Sequence, residues 1–276
     1  MLPQRSTAVC VRSLDIKART PYTFAKGDYM TTDATQITPI ALAFSPYQEK
    51  FAIPRQPGLA TAAITRVELL PPFNNPLALD GLDEVSHVWL LFLFHAVGSK
   101  PESLRVRPPR LGGNEYLGVF ATRSTHRPNG IGQSLAKIEK IEGTQLWVSG
   151  VDLLNQTPII DIKPYVPYAD VAIDAFNRIA PEPPPQLPVV WQADALASAK
   201  EHALRLQENV ALVIEQALAQ DPRPAYQQRN ASDNGLAERT YGARFWDLDV
   251  RWCYPQGKPK DNLQNETLEV ISVTAL

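Results

Sequence analysis

Between Ile37 and Ala172 the chain carries seven short apolar or alternating runs, set close together. They are Ile37–Phe44, Thr61–Leu70, His87–Val97, Tyr116–Thr122, Ser134–Ile141, Gln145–Asp152 and Ile159–Tyr165. Parallel strands need long crossovers, usually helical, and these gaps leave little room for them. A doubly wound sheet is therefore disfavoured, and a mainly β sandwich or barrel is expected over 37–175. The run His87–Val97 is almost continuously apolar and predicts a central strand buried on both faces. Leu79–Val85 predicts one short helical turn before it.

Proline is unusually frequent, 25 residues against 14 glycines, which suits stiff connections between short strands. The run Pro181-Glu182-Pro183-Pro184-Pro185-Gln186-Leu187-Pro188 favours polyproline II and marks 176–190 as a linker. Beyond it, apolar residues at helical spacing predict one helix over Asp194–Gln220, ended by Asp221-Pro222. Strands are expected at Arg244–Tyr254 and Glu266–Val273, so 191–276 reads as a small α+β domain. Residues 1–36 show neither period and read as a flexible extension. No continuous apolar stretch of signal-peptide type occurs there, so a cytoplasmic setting is expected.

Several chemistries lose their footing at once. No GxGxxG or GxxxxGK[ST] occurs, so neither a Rossmann nor a P-loop phosphate cradle is available. The two cysteines, Cys10 and Cys253, are far apart and form neither a disulfide framework nor a zinc pattern. No Cys/His/carboxylate cluster has metal-ligand spacing, so no metal is expected. Net charge is −2, which excludes a globally basic nucleic-acid coat.

A local basic stretch remains. Lys100, Arg105, Arg107, Arg110, Arg123, Arg127 and Lys137 stand against only Glu102 and Glu115, with His126 among them. Such an excess can be a solvated loop face or a phosphate grip. Pro108, Pro109 and Pro128 stiffen these loops, which tilts the reading toward a site. His87 and His95 end the long apolar run. Eight residues apart, they are separated by roughly 26 Å on a strand and cannot share a metal. His95 is either a hydrogen-bonded core histidine or a pocket-rim residue. Asp152 and Asp161 lie in or beside apolar strands, where a charge is costly unless paired. A structural ion pair, for Asp161 with Lys163, and a polar pocket at the strand ends both satisfy that requirement.

The blocks EKFAIPRQPG (Glu49–Gly58), DGLDEVSHVWLLFLFH (Asp80–His95), RVRPPRLGG (Arg105–Gly113), VFATRSTHRPNGIG (Val119–Gly132), DIKPYVPYAD (Asp161–Asp170), AQDPRPAY (Ala219–Tyr226) and FWDLDVRW (Phe245–Trp252) closely resemble the TsaA-like (TrmO) family. The resemblance runs from about Ile37 to Val273. It implies a non-Rossmann β-barrel methyltransferase that uses S-adenosylmethionine. The implied reaction is N6-methylation of N6-threonylcarbamoyladenosine beside the anticodon of threonine tRNAs. It also implies a homodimer with the cofactor near the subunit boundary, and a C-terminal module that assists with tRNA.

Carried over motif by motif, the implied cofactor site is Arg55, Gln56, Pro57 and Gly58; His95 and Ala96; Arg123; Gln133, Ser134 and Leu135; and Asp152, Leu153, Leu154 and Asn155. The implied tRNA contacts are Arg105, Arg107, Arg110, Arg127, Lys163 and Tyr165. Three departures stand out. Ala96 replaces a family glutamine, Gly130 a proline, and Asn155-Gln156 an Asp-Gly pair. The Gly130 change is expected to loosen a loop that proline would stiffen. The acceptor nitrogen is a poor nucleophile, because its lone pair is drawn into ring and carbonyl. Asp161 and His95 are therefore candidates for removing its proton, and an arginine for stabilising the anion. A cofactor-binding regulatory module without catalysis, and a plain RNA-binding barrel, are the alternatives.

Overall fold

A computed structural model describes residues 36–97, 103–108, 115–223, 239–255 and 267–276. Strands are β1 Ala41–Phe44, β2 Ile64–Leu69, β3 His87–Leu93, β4 Arg105–Val106, β5 Leu117–Gly118, β6 Ile131–Glu142, β7 Gln145–Ser149, β8 Thr157–Pro164, β9 Val189–Trp191, β10 Tyr241–Phe245, β11 Leu248–Cys253 and β12 Leu268–Ala275. Helices are α1 Pro167–Asp170, α2 Ala193–Leu206 and α3 Val210–Leu218. Six strands close into an antiparallel barrel in the order β1-β2-β7-β6-β3-β8. The expected mainly β barrel is thus the observed class. No helix among the described residues is long and apolar enough to cross a membrane.

The barrel is filled by matching large residues on β3 with small ones on β6. Phe92 lies opposite Gly132, Leu90 opposite Ser134, and Val88 opposite Ala136. All six side-chain positions face the interior and are buried. A Cβ on Gly132 would run into the Phe92 ring. This pairing corrects one expectation: β3 is not buried on both faces. His87, Trp89, Leu91 and Leu93 alternate outward and are partly exposed, as in an antiparallel barrel with one wet face.

The C-terminal sheet has the order β10-β11-β12-β9, with β9 parallel to β12. Strand β9 begins inside the stretch read as linker, at Val189 and Val190, and ends at Trp191. Leu187 N–H already donates to Ala219 O at 2.7 Å, so the end of the proline run is packed rather than a free spacer. The single helix expected over Asp194–Gln220 is two. Gln207 takes φ 57, and Asn209 caps α3 by accepting from Leu212 N–H at 3.3 Å. The expected strand over Tyr116–Thr122 is only β5 followed by a 3₁₀ turn at Val119–Ala121.

Residues Pro39–Leu276 form one compact unit; of the other, Met1–Thr38, only 36–38 are described. The expected extension over 1–36 therefore lies almost wholly outside the described residues. Within the larger unit, chain leaving β1 meets the C-terminal sheet directly. Tyr47 forms a β-bridge with Phe245, and their rings meet edge to face at 6.1 Å. Trp246 N–H donates to Pro46 O at 2.7 Å. Tyr47, Ala52 and Ala63 are buried in the same cluster as Phe245, Leu248 and Val250. Burial of aromatic and aliphatic surface is the main stabilising term here.

Candidate functional site

One end of the barrel gathers the C-terminal end of β3, the start of β6, the chain leaving β7 and the loop before β2. Three of these segments are linked by side chains, through an arginine on the turn after β5. Arg123 Nη1 donates to Gln56 Oε1 at 2.8 Å. Arg123 also acts electrostatically on Asp152. Asp152 Oδ1 accepts a very short hydrogen bond from Ser134 Oγ. Gly58 N–H donates to Gly150 O at 2.8 Å, tying the loop to the end of β7.

Burial raises the Asp152 carboxyl above its ordinary range, against the opposing pull of Ser134 and Arg123. His95 lies two residues beyond β3. Its ring engages the backbone of Leu93 and Asn155, but desolvation, with Lys50 nearby, leaves its pKa below the ordinary value. At neutral pH it is an uncharged imidazole. Tyr47 carries a buried hydroxyl with no hydrogen-bond partner among the described residues. Its pKa is raised by burial, with Asp152 adding to the effect.

Asn155 does more scaffolding than the sequence suggests. Its Oδ1 accepts from Ser45 N–H at 3.2 Å, and its Nδ2 donates to Gln48 Oε1 at 3.0 Å. Its backbone N–H donates to Tyr47 O. Leu153 is buried and its carbonyl accepts from Ser45 Oγ at 2.7 Å. Leu154 O accepts from Thr157. Gln133 and Leu135 sit on β6 opposite Leu91 and Trp89, flanking Ser134. Ala96 follows His95, half-buried. Arg55 turns toward the C-terminal module, with Nη2 donating to Asp221 O at 2.5 Å. Pro57 lies between Gln56 and Gly58 in the same loop.

Several expected residues are elsewhere. Asp161 lies opposite Leu91 on β8. Its Oδ2 pairs with Lys163 Nζ at 2.9 Å, and its Oδ1 accepts from Ile162 N–H at 2.9 Å. Both oxygens are thus engaged by neighbours on β8 itself. It borders a small apolar hollow of about 190 Å³ lined by Ile40, Phe73, Leu79 and Leu82. Lys163 shares that ion pair. Tyr165 packs on Trp89 and His87 at the far end of β3, with centroids 5.8 and 6.4 Å away. Neither lies with the His95 group, because β8 runs antiparallel to β3 and carries them to the opposite end. Arg127 is directed inward, with Nη1 donating to Thr122 O at 2.7 Å and Val119 O at 3.3 Å. It shapes the turn that presents Arg123. Arg105 and Arg107 remain exposed on β4 and after it, stacked on Tyr116 at 5.3 and 4.3 Å. Arg110 lies outside the described residues.

The Gly130 departure acquires a different meaning. Gly130 takes φ 63, which a proline ring cannot adopt. Its N–H donates to Arg127 O at 3.1 Å, and its carbonyl accepts from Phe94 N–H at 2.8 Å. The glycine selects a different turn, tied on both sides, rather than loosening the expected one. Gln156 takes φ 61 at the position where the family glycine would stand.

Across the barrel junction, Asp221 accepts from Arg223 Nε at 2.8 Å and Nη2 at 2.9 Å, and from Tyr254 Oη at 3.0 Å. Gln220 and Gln216, given no role by the sequence, accept from the loop backbone at Arg55 and Ala62. Gln220 lay inside a recognised block, but only the fold shows what it meets. No group of three side chains suited to a metal occurs among the described residues.

A closed barrel with an arginine, a buried carboxyl and a neutral histidine at one end, and no glycine-rich loop, is a non-Rossmann ligand-binding architecture. The comparisons define it further. Residues 42–171 match the tRNA-methyltransferase O N-terminal domain, and residues 184–275 match the TrmO C-terminal domain. RcsF of Pseudomonas aeruginosa, named among the S-adenosylmethionine-dependent methyltransferases, is 59% identical over 221 residues, covering 80% of this chain and 93% of its own. The tRNA (adenine(37)-N6)-methyltransferase of Escherichia coli is 41% identical over 225 residues, covering 79% and 92%. The crystal structure of TrmO from Pseudomonas aeruginosa superposes with TM-score 0.72 at 47% identity, covering 88% of this chain and 99% of that one. The chain belongs to the TrmO family of S-adenosylmethionine-dependent tRNA methyltransferases.

The donor set suits that cofactor chemically. A guanidinium matches a methionyl carboxylate, a carboxyl matches an ammonium or ribose hydroxyl, and the Tyr47 hydroxyl is a buried polar group without a partner among the described residues.

Proposed function

We propose that this chain methylates N6 of threonylcarbamoyladenosine at position 37 of threonine tRNAs. The observation that carries the reading is the chain of contacts Gln56–Arg123–Asp152–Ser134 at the barrel end that also holds His95. Gln56, Arg123, Ser134 and Asp152 would hold S-adenosylmethionine, which supplies an electrophilic methyl group when bound. The chain's own work is to place the acceptor nitrogen in line and to manage its proton. His95 has a pKa held below the ordinary value by desolvation, which keeps its imidazole free to accept that proton near neutral pH. Arg105 and Arg107, preorganised on Tyr116, would grip tRNA phosphates.

The reading places the cofactor on the barrel, 37–175, and tRNA support in 191–276, in a cytoplasmic homodimer. Exposed Tyr168, Val171, Ile173 and Phe176 after β8 offer apolar surface that a second copy would cover. The test is incubation with S-adenosylmethionine and threonine tRNA bearing unmethylated threonylcarbamoyladenosine, followed by nucleoside mass analysis. A methyl gain on that nucleoside, absent with tRNA lacking the threonylcarbamoyl group, is expected. No gain, with cofactor binding intact, would sink the acceptor assignment.

A further inference from the structure

Two glutamines one turn apart on and after α3 reach across to the barrel. Gln220 Oε1 accepts from Arg55 N–H at 2.9 Å. Gln216 Oε1 accepts from Ala62 N–H at 2.8 Å. These two backbone donors bracket the loop that contains Gln56, Pro57 and Gly58. Gln220 is 4% exposed, and its Nε2 donates to Gln216 O at 3.1 Å, so its carbonyl has a fixed aim. Arg55 Nη2 adds a third tie, to Asp221 O. From the other side the loop is held by Gly58 N–H to Gly150 O, and by Gln56 to Arg123.

The loop is therefore suspended between the barrel and a helix of the C-terminal module. Its two end amides have glutamines on and just after α3 as side-chain partners, and a partly buried N–H left without a partner is costly. Without those glutamines the loop would have to turn its end amides toward water and carry Gln56 away from Arg123. Neither glutamine belongs to the His95 group. Each acts only through the loop backbone.

We propose that Gln216 and Gln220 are positioning residues for cofactor binding, so that the C-terminal module sets the affinity of the barrel for S-adenosylmethionine. The inference rests on the reading that the Gln56–Gly58 loop holds that cofactor. It assigns α3 a task distinct from contact with tRNA.

Titration of the full-length protein with S-adenosylmethionine, paired with steady-state kinetics, tests it. Gln216→Leu and Gln220→Leu should each raise Kd and KM for S-adenosylmethionine about ten-fold, the scale of one lost hydrogen bond. The kcat at saturating cofactor and the KM for tRNA should stay within about two-fold. Gln216→Glu, which keeps the acceptor oxygen, should recover most of the affinity. A merely structural role would lower the melting temperature without this split. Gln56→Ala serves as the control for the loop itself. Weak binding by Gln56→Ala with wild-type Kd in both leucine variants overturns the positioning role alone. Wild-type Kd in all three removes the loop from the cofactor site and takes the proposal with it. Should the leucine variants not fold, hydrogen exchange on the wild-type protein decides. Added S-adenosylmethionine should protect the loop 53–63 and α3 together. Protection of the barrel segments with α3 unchanged overturns the coupling.

Discussion

Arg123 and Gln56, sixty-seven residues apart, meet at 2.8 Å through Nη1 and Oε1 and join the loop before β2 to the turn after β5. The same guanidinium is the positive charge that acts on Asp152. Arg123→Ala should weaken S-adenosylmethionine binding by about ten- to hundred-fold, the range for a lost charge-assisted hydrogen bond. Calorimetric titration checks this. An Arg123→Ala protein with wild-type affinity would remove the residue from the site.

Asp152 is a carboxyl whose burial works against its charged form. Its folded pKa is raised, chiefly by burial, so the folded state holds its proton more tightly than the unfolded chain does. The linked cost is absent below the ordinary carboxyl pKa and grows as pH rises through the window between the unfolded and folded values. Asp152→Asn should therefore melt at a higher temperature than wild type at neutral pH, yet bind S-adenosylmethionine at least about ten-fold more weakly. An unchanged melting temperature at pH 7 would show that the buried carboxyl carries no such cost.

His95 should give the rate its acid limb. Its pKa is lowered by desolvation, so single-turnover methylation should be flat through neutrality and fall only below the ordinary histidine range. The linkage has the same sign. Stability should fall with acid as pH drops below the unfolded histidine value, because the unfolded chain takes up the proton first. His95→Ala should slow the chemical step about 10²- to 10⁴-fold, the usual share of a positioned acid–base group, with cofactor affinity largely kept. Asp161→Asn, whose carboxylate is tied to Lys163, should keep the wild-type rate.

Two turn positions should respond in opposite directions. Gly130→Pro forces φ negative and deletes the N–H that reaches Arg127 O, and should destabilise by about 2–4 kcal/mol. Gln156→Gly relieves a left-handed residue at φ 61 and should stabilise by up to about 1 kcal/mol. Urea denaturation of both variants checks the pair. A Gly130→Pro protein as stable as wild type would mean the turn adopts the proline form at no cost.

Arg105 and Arg107 stack on one ring and project from the same edge. Alanine at either should weaken tRNA binding across all sequences and reduce the slope of log K against log salt by about one. Filter binding over a salt series measures this. A flat salt response in the wild-type protein would remove the phosphate role.

The amino-acid sequence alone determined the class of fold and the family. Close-set short runs leave little room for crossovers, but His87–Val97 is almost continuously apolar, so the matching of Phe92 with Gly132 and Leu90 with Ser134 appears only once β3 and β6 are paired. Period and spacing are local properties, and the family blocks are local strings, so both can be read without a structure. What only the tertiary structure decided is which of those residues share an end of the barrel. Lys163 and Tyr165 are recognisable by motif, yet antiparallel pairing of β8 with β3 sets them beside Trp89 and His87, away from His95. The break between α2 and α3 depends on a left-handed Gln207, a residue type that does not announce that conformation. Gln216 and Gln220 look like ordinary helix-surface residues until α3 is set against the loop at Arg55 and Ala62. Register and docking are decided by contacts between residues distant in the chain, which strand period and helix propensity do not encode.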